Sequence, residues 1–243
     1  GLLTNNSTGE ITSDTLSAKS SVENSGTISA IILTAEASVA NDGTINATTK
    51  VEVTEILKNT STGKIETQTL ATNEGSDVDN SGTIKVTTKA EITGTLTNKN
   101  LFDAENAEVT VGGNLSNTDS GEIKAKSLTV TGSLVNQEVC EIIASTITAQ
   151  SVITNSGKIT VTDALDVLGL LTNDLTGEIT SDSLTAKSDI ENSGTITVST
   201  TAEITGSLTN QNSFNAGTAD VTVGENVSNT DSGEIKAKTL KVT

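Results

Sequence analysis

Aliphatic and polar residues alternate along this chain in short bursts, and the bursts return at a nearly fixed spacing. An asparagine marks each return: Asn5, Asn24, Asn41, Asn59, Asn80, Asn98, Asn117, Asn136, Asn155, Asn173, Asn192, Asn210 and Asn229. The twelve steps average about 18.7 residues, and none is shorter than 17 or longer than 21. That period is too short for pairs of helices and fits one coil of a β-solenoid. Two residues before every asparagine stands an aliphatic side chain, from Leu3 and Val22 to Leu208 and Val227. Four to six residues after it comes a bulky apolar one: Ile11, Ile28, Ile45, Ile65, Ile84, Phe102, Ile123, Ile142, Ile159, Ile179, Ile196, Phe214 and Ile235. Two further on the residue is always Ala, Val, Ser or Thr, as at Ala30, Val86, Ala125 and Val198. Pairs such as Leu33 and Ala35, or Leu128 and Val130, precede the next asparagine; only the insertion Asn73–Asp77 breaks their spacing.

Each repeat therefore contains three short segments of period-two alternation, which is the strand signature. Gly, Asn, Asp and Ser collect between the segments, where turns belong. A flat antiparallel sandwich would not hold one order of bulky, small and turn positions through thirteen windows. The pattern predicts an all-β fold: a right-handed parallel β-helix (β-solenoid) of about 13 coils of ~19 residues, triangular in cross-section. At ~4.8 Å per coil such a stack would run about 62 Å. Residues 1–243 read as one solenoid shaft, a fragment of a longer fibre.

Composition alone would suggest disorder, because the net charge is −17 and aromatics are 1% of 243 residues. The order of the aliphatics argues otherwise. About five inward aliphatics per coil, each large one contributing roughly 1.5 to 3 kcal/mol on full burial, can offset the entropy of ordering. The cations are 14 lysines scattered singly, so the electrostatic footprint of a nucleic-acid partner is missing. The richest apolar run, Ala164–Leu171, is far shorter than a membrane span, and no membrane insertion is expected. Cys140 is the only cysteine and cannot form an internal disulfide, so packing must hold the fold.

The asparagine column could be a line of ligand-binding amides. Its presence in every coil favours a structural ladder of stacked side-chain amides. The glycines that follow it, such as Gly9, Gly26, Gly63 and Gly82, are expected to supply turns with positive φ. Phe102 and Phe214, six coils apart, have inward parity and read as core rather than as a sugar platform. Cys140, in the glycine column, lacks basic neighbours that would activate a thiol. Asp119, Glu122, Asp231 and Glu234 match neither an EF-hand nor a repeat-in-toxin calcium pattern and read as solvated faces. Asn-x-Ser/Thr matches at Asn6, Asn46, Asn59, Asn114 and Asn226 are expected by chance in so polar a chain.

No cofactor or metal is expected. Some β-helices cleave polysaccharides, but the chain has no His, Arg or Tyr, and its near-constant coil length leaves no long loops to wall a cleft. Ice-binding solenoids present flat threonine rows. Here Glu10, Lys64, Lys85 and Glu122 interrupt them.

The pattern G-x-I-x-A-x-x-L-x-V-x-x-x-L-x-N, seen as GEIKAKSLTVTGSLVN at Gly121–Asn136, resembles the shaft repeats of filamentous haemagglutinin-like exoproteins. These are bacterial two-partner-secreted adhesins with a right-handed parallel β-helix shaft. The resemblance covers essentially the whole chain, although the family's N-terminal secretion domain with its Asn-Pro motifs is missing. It implies a non-catalytic shaft at the cell surface or outside the cell, supporting adhesion or biofilm formation. A host receptor or other surface polymer would then be met by a domain outside these residues. The alternative is a filament subunit stacked head to tail, since Leu240–Thr243 followed by Gly1–Asn5 keeps the repeat in step. Further copies, or further repeats of the same kind, are the expected end-to-end partners.

The decapeptide NTDSGEIKAK occurs at both Asn117 and Asn229, marking a super-repeat that spans six coils.

Overall fold

A computed structural model describes Gly1–Thr243 and contains strands and turns but no helix. The chain divides into two compact units, Gly1–Lys126 and Ser127–Thr243. Both are parallel β-solenoids, and the units together hold thirteen coils, each with one short and one long strand.

In the first unit, three-residue strands beginning with Leu3–Asn5 and Val22–Asn24 and ending with Leu115–Asn117 pair in chain order, asparagine against asparagine. Long strands from Glu10–Ala18 to Leu101–Val111 pair alongside them in the same order. In the second unit, short strands from Leu134–Asn136 to Val227–Asn229 form one parallel array. The long strands Glu141–Ala149 to Glu234–Val242 form the other. The division between units falls within the long strand Glu122–Val130.

The expected three segments are present, but two of them share one strand. In Thr44–Val53 the inward residues are Ile45 and Ala47, then Val51 and Val53, with Thr48 and Thr49 both exposed between them. Three residues, Thr48 to Lys50, separate the inward pairs and interrupt the alternation, and the strand turns a corner there. Coil length varies at this corner. The nine-residue strand Thr27–Ala35 meets the ten-residue Thr44–Val53 with a register shift between Ala30 and Ile32. The extra outward residue adds backbone at the corner and leaves both inward pairs in register.

A typical coil thus directs three pairs inward: Leu57 with Asn59, Ile65 with Thr67, and Leu70 with Thr72, all buried. Register superimposes like on like. Ile84 lies against Ile65 on one side and Phe102 on the other. In the second unit Phe214 lies against Ile196. Both phenylalanines are fully buried and belong to the core, as their parity predicted. The isoleucine column is buried from Ile28, Ile45, Ile65 and Ile84 to Ile123 in the first unit. It is likewise buried at Ile142, Ile159, Ile179 and Ile196 in the second. Ile11 and Ile235, in the outermost coils, are half-buried.

The insertion Asn73–Asp77 is folded out as a turn closed by Ser76 N–H to the Asn73 carbonyl at 3.0 Å, with Gly75 at φ 75°. The buried Ser76 hydroxyl donates to the Thr54 carbonyl at 2.5 Å and fixes the turn to the preceding coil.

Packing of this kind predicts that Phe102→Ala lowers stability by about 3–5 kcal/mol, because the neighbouring coils cannot close over the void. Phe102→Ile, the residue its column uses elsewhere, should cost much less. Chemical denaturation of the two variants measures the difference. Equal, sub-kcal/mol losses would show that the column is not tightly packed.

Candidate functional site

The asparagine column is the most concentrated set of buried polar groups in the molecule. Asn41, Asn59, Asn80, Asn98, Asn117, Asn136, Asn155, Asn173 and Asn210 are completely buried; Asn5, Asn24 and Asn192 nearly so. Asn229 is exposed. Unpaired, each amide would cost on the order of 1–3 kcal/mol. None here is unpaired.

Within each unit the geometry repeats. Asn24 Nδ2 donates to the carbonyl of Gly26 in its own turn at 3.1 Å, to Asn41 Oδ1 of the next coil at 2.8 Å, and to the Thr44 carbonyl at 3.1 Å. Asn155 makes the same set with Gly157, Asn173 Oδ1 and Glu178, at 3.0, 2.9 and 3.2 Å. Two of the three partners are backbone carbonyls, which only accept, so the atom facing them must be the amide nitrogen. That fixes every side chain in one orientation. The amide–amide links run toward the C-terminal end of their unit, as from Asn5 into Asn24 at 2.8 Å and from Asn210 into Asn229 at 2.8 Å. Asparagine main-chain carbonyls also accept from the next coil's turn, as Ser25 N–H to Asn5 at 2.8 Å and Asp174 N–H to Asn155 at 2.8 Å. Side chain and main chain therefore fix the same register.

The glycine column has a different cause from the one its sequence suggested. Among glycines only Gly75 has positive φ, and it lies outside the column. The column is glycine because the stack occupies the space a side chain would need. A Cβ on Gly82 would sit 2.2 Å from the Thr60 carbonyl oxygen and 2.3 Å from that of Gly63. One on Gly9 would overlap Asn5 Oδ1 at 2.1 Å. Positive φ appears instead at Asp119 (62°), Val139 (62°) and Asp231 (56°), all in the longer turns that follow some asparagines.

Those turns are interspersed with tighter ones, which sequence reasoning missed although the asparagine-to-glycine spacing carried the signal. Where the spacing is four, the turn projects and closes on itself, as with Gly63 N–H to the Thr60 carbonyl at 3.0 Å. Where it is two, the turn stays low and bonds directly to the preceding coil, as Gly43 N–H to Asn24 at 3.1 Å. Projecting turns rest on low ones. Thr60 and Thr62 hydroxyls both donate to Asp42 Oδ1, at 2.5 and 2.6 Å, and hold its carboxyl below the ordinary carboxylate value of 3.8.

Cys140, in the glycine column, is buried. Asp119 and Asp231 occupy equivalent turn positions, while Glu122 pairs with Lys124 and Glu234 with Lys236, both at 2.9 Å. No group of three or more His, Cys, Asp or Glu is arranged to hold a metal ion. Asn59, one of the Asn-x-Ser/Thr matches, is a buried ladder amide. The outward row beside the isoleucine column runs Glu10, Thr27, Thr44, Lys64, Thr83, Leu101 in the first unit, so its threonines form no continuous array. The buried Oδ1 of Asp79 has no hydrogen bond; Lys99 Nζ lies 3.5 Å away as its countercharge.

The chain matches no protein-family model, no curated protein and no solved structure.

Three outcomes are expected. Asn155→Asp removes every donor from a site of acceptors and should cost about 3–5 kcal/mol at neutral pH. Burial raises the new carboxyl's pKa, so the penalty should ease as pH falls toward the unfolded-state value near ~3.9. A loss below ~1 kcal/mol in a denaturant titration would refute a structural ladder. Gly82→Ala should destabilise by several-fold more than Gly217→Ala, whose added Cβ meets nothing closer than 3.5 Å. For Asp42, whose folded pKa is depressed, the stabilisation is present above the ordinary carboxylate range and lost as pH drops below it. NMR titration of the Thr60→Val/Thr62→Val variant should show the Asp42 pKa moved upward, and an unchanged value would contradict the assignment.

Proposed function

We propose that these residues form a non-catalytic shaft of an extracellular or cell-surface adhesin or filament. The observation that carries the reading is the use made of the inward positions. In coil after coil the buried polar side chain donates to its own turn and to the next coil, so its donors are committed to the stack. A coil built this way propagates its neighbour's geometry, which is what an extended support requires. Resemblance of the GEIKAKSLTVTGSLVN pattern to haemagglutinin-like shaft repeats supports the adhesin assignment and a location at the bacterial surface.

Duplication, close to exact between 80–126 and 192–238, supports it too. A site for chemistry loses nothing when unique, whereas a spacer gains length by copying a block. Removing residues 118–229 joins Asn117 to Thr230 and leaves the decapeptide NTDSGEIKAK intact at the junction. The shortened natural polypeptide should still fold, reach the surface and label with antibody on thin fibres in electron microscopy. Fibres should be shorter by about 29 Å, six coils at ~4.8 Å. Labelling confined to the cell interior, or abolition of adhesion by a shortened shaft that is folded and displayed, would overturn the proposal.

A further inference from the structure

The two six-coil blocks are near copies only over residues 80–126 against 192–238, and two turns elsewhere in the second block stand out by what they expose. Asn24 and Asn136 stand six coils apart at equivalent positions, but the low turn NSG that begins at Asn24 is replaced by the longer NQEVC at Asn136. The projecting turn NTSTG at Asn59 has its counterpart in NDLTG at Asn173, where Leu175 replaces Ser61. The changes create the two most exposed large apolar side chains in the chain, Val139 at 77% and Leu175 at 76%.

These residues sit on two ridges of the second unit, separated by the single low turn of the Asn155 coil. The register Glu141–Lys158–Glu178 places the ridges two coils apart, about 9.6 Å. Between them lies a groove of about 360 Å³, lined by Glu138, Val139, Glu141, Lys158, Thr176 and Glu178. Its walls are held in place: Thr176 Oγ1 donates to the Ser156 carbonyl and Ser156 Oγ to Asp174 Oδ2, each at 2.7 Å. The Val139 backbone is strained. A β-branched residue at φ 62° is rare, and such strain collects where function retains it.

Charge selects the occupant. Lys158 is paired to Glu141 at 2.7 Å, which leaves Glu138 and Glu178 to make the groove net negative. With a net charge of −17, a second copy of this chain would be repelled. We infer that the groove between the Val139 and Leu175 ridges docks a short segment of a basic partner protein, its aliphatic side chains meeting Val139 and Leu175 and its lysines or arginines meeting Glu138 and Glu178. This goes beyond the shaft reading and stands independently of it.

The test uses an end-blocked octapeptide of alternating leucine and lysine, with a leucine–glutamate octapeptide as control. Titrated into the isotope-labelled protein, the basic peptide should shift the amides of residues 138–141, 156–158 and 174–178 with one-to-one stoichiometry, and the acidic one should not. The double variant Val139→Asn/Leu175→Ser should bind at least about ten-fold more weakly, since two apolar contacts are lost. Its melting temperature should be no lower than the parent's, because asparagine tolerates the left-handed backbone better than valine. Glu138→Gln/Glu178→Gln should flatten the salt dependence of binding. Shifts spread evenly over acidic positions elsewhere would overturn the inference. So would double-variant affinity within two-fold of the parent, or a peptide-free, concentration-dependent shift of the same amides, which would identify a second copy as the occupant.

Discussion

Everything in this fold depends on one side-chain hydrogen bond and its repetition. An asparagine amide nitrogen meets the next coil's amide oxygen at 2.7–2.9 Å while also facing two backbone carbonyls. Hydrophobic columns alone would not set register so firmly, because leucine slides over isoleucine with little loss. A buried amide does not slide. A shift by one residue would turn the asparagine outward and leave the carbonyls it satisfies without a donor, at a cost of on the order of 1–3 kcal/mol for each group. The aliphatic columns drive the coil to collapse, and the ladder determines which collapsed arrangement is stable.

The glycine column follows from the ladder. Bringing successive turns close enough for amide to reach amide leaves no volume for a Cβ, so glycine is demanded by proximity rather than by backbone angle. Cys140 stands in that column after the left-handed Val139, in a turn closed by its own N–H to the Gln137 carbonyl at 3.1 Å. The equivalent turn at Thr118 places its left-handed residue one position earlier, at Asp119. A different path into the column accompanies a different residue within it.

Most of the coil was legible in the sequence because inward positions recur with a period of two and turns carry Gly, Asn and Ser. The asparagine and isoleucine columns fall where the alternation placed them. Two features were not legible. The sharing of one strand by two segments depends on a corner at which Thr48 and Thr49 both face solvent, and outward residues there carry no compositional mark. The reason for the glycines was misread because a turn glycine with positive φ and one with a crowded Cβ look alike in sequence. Only the neighbouring coil separates them, and that neighbour lies a whole repeat away along the chain.

A solenoid built by copying has an unusual property: its functional positions can be sought by subtraction. Whatever the two blocks share, from ladder to core columns to NTDSGEIKAK, is explained by the need to stack one coil on another. What they do not share runs through every coil, so only a difference that changes the chemistry of the surface singles out a place. The longer turn at Asn136 accepts from its ladder amide through the Cys140 carbonyl, as the NSG turn at Asn24 does through Gly26. It adds a left-handed valine, a local cost of roughly 1–2 kcal/mol, and exposes it to solvent. Leu175 on the next projecting turn adds exposed apolar area where Ser61 exposes none. Their meeting on two ridges about 9.6 Å apart, across an acidic groove braced by Ser156 and Thr176, gives one short stretch of an otherwise repetitive surface its own chemistry.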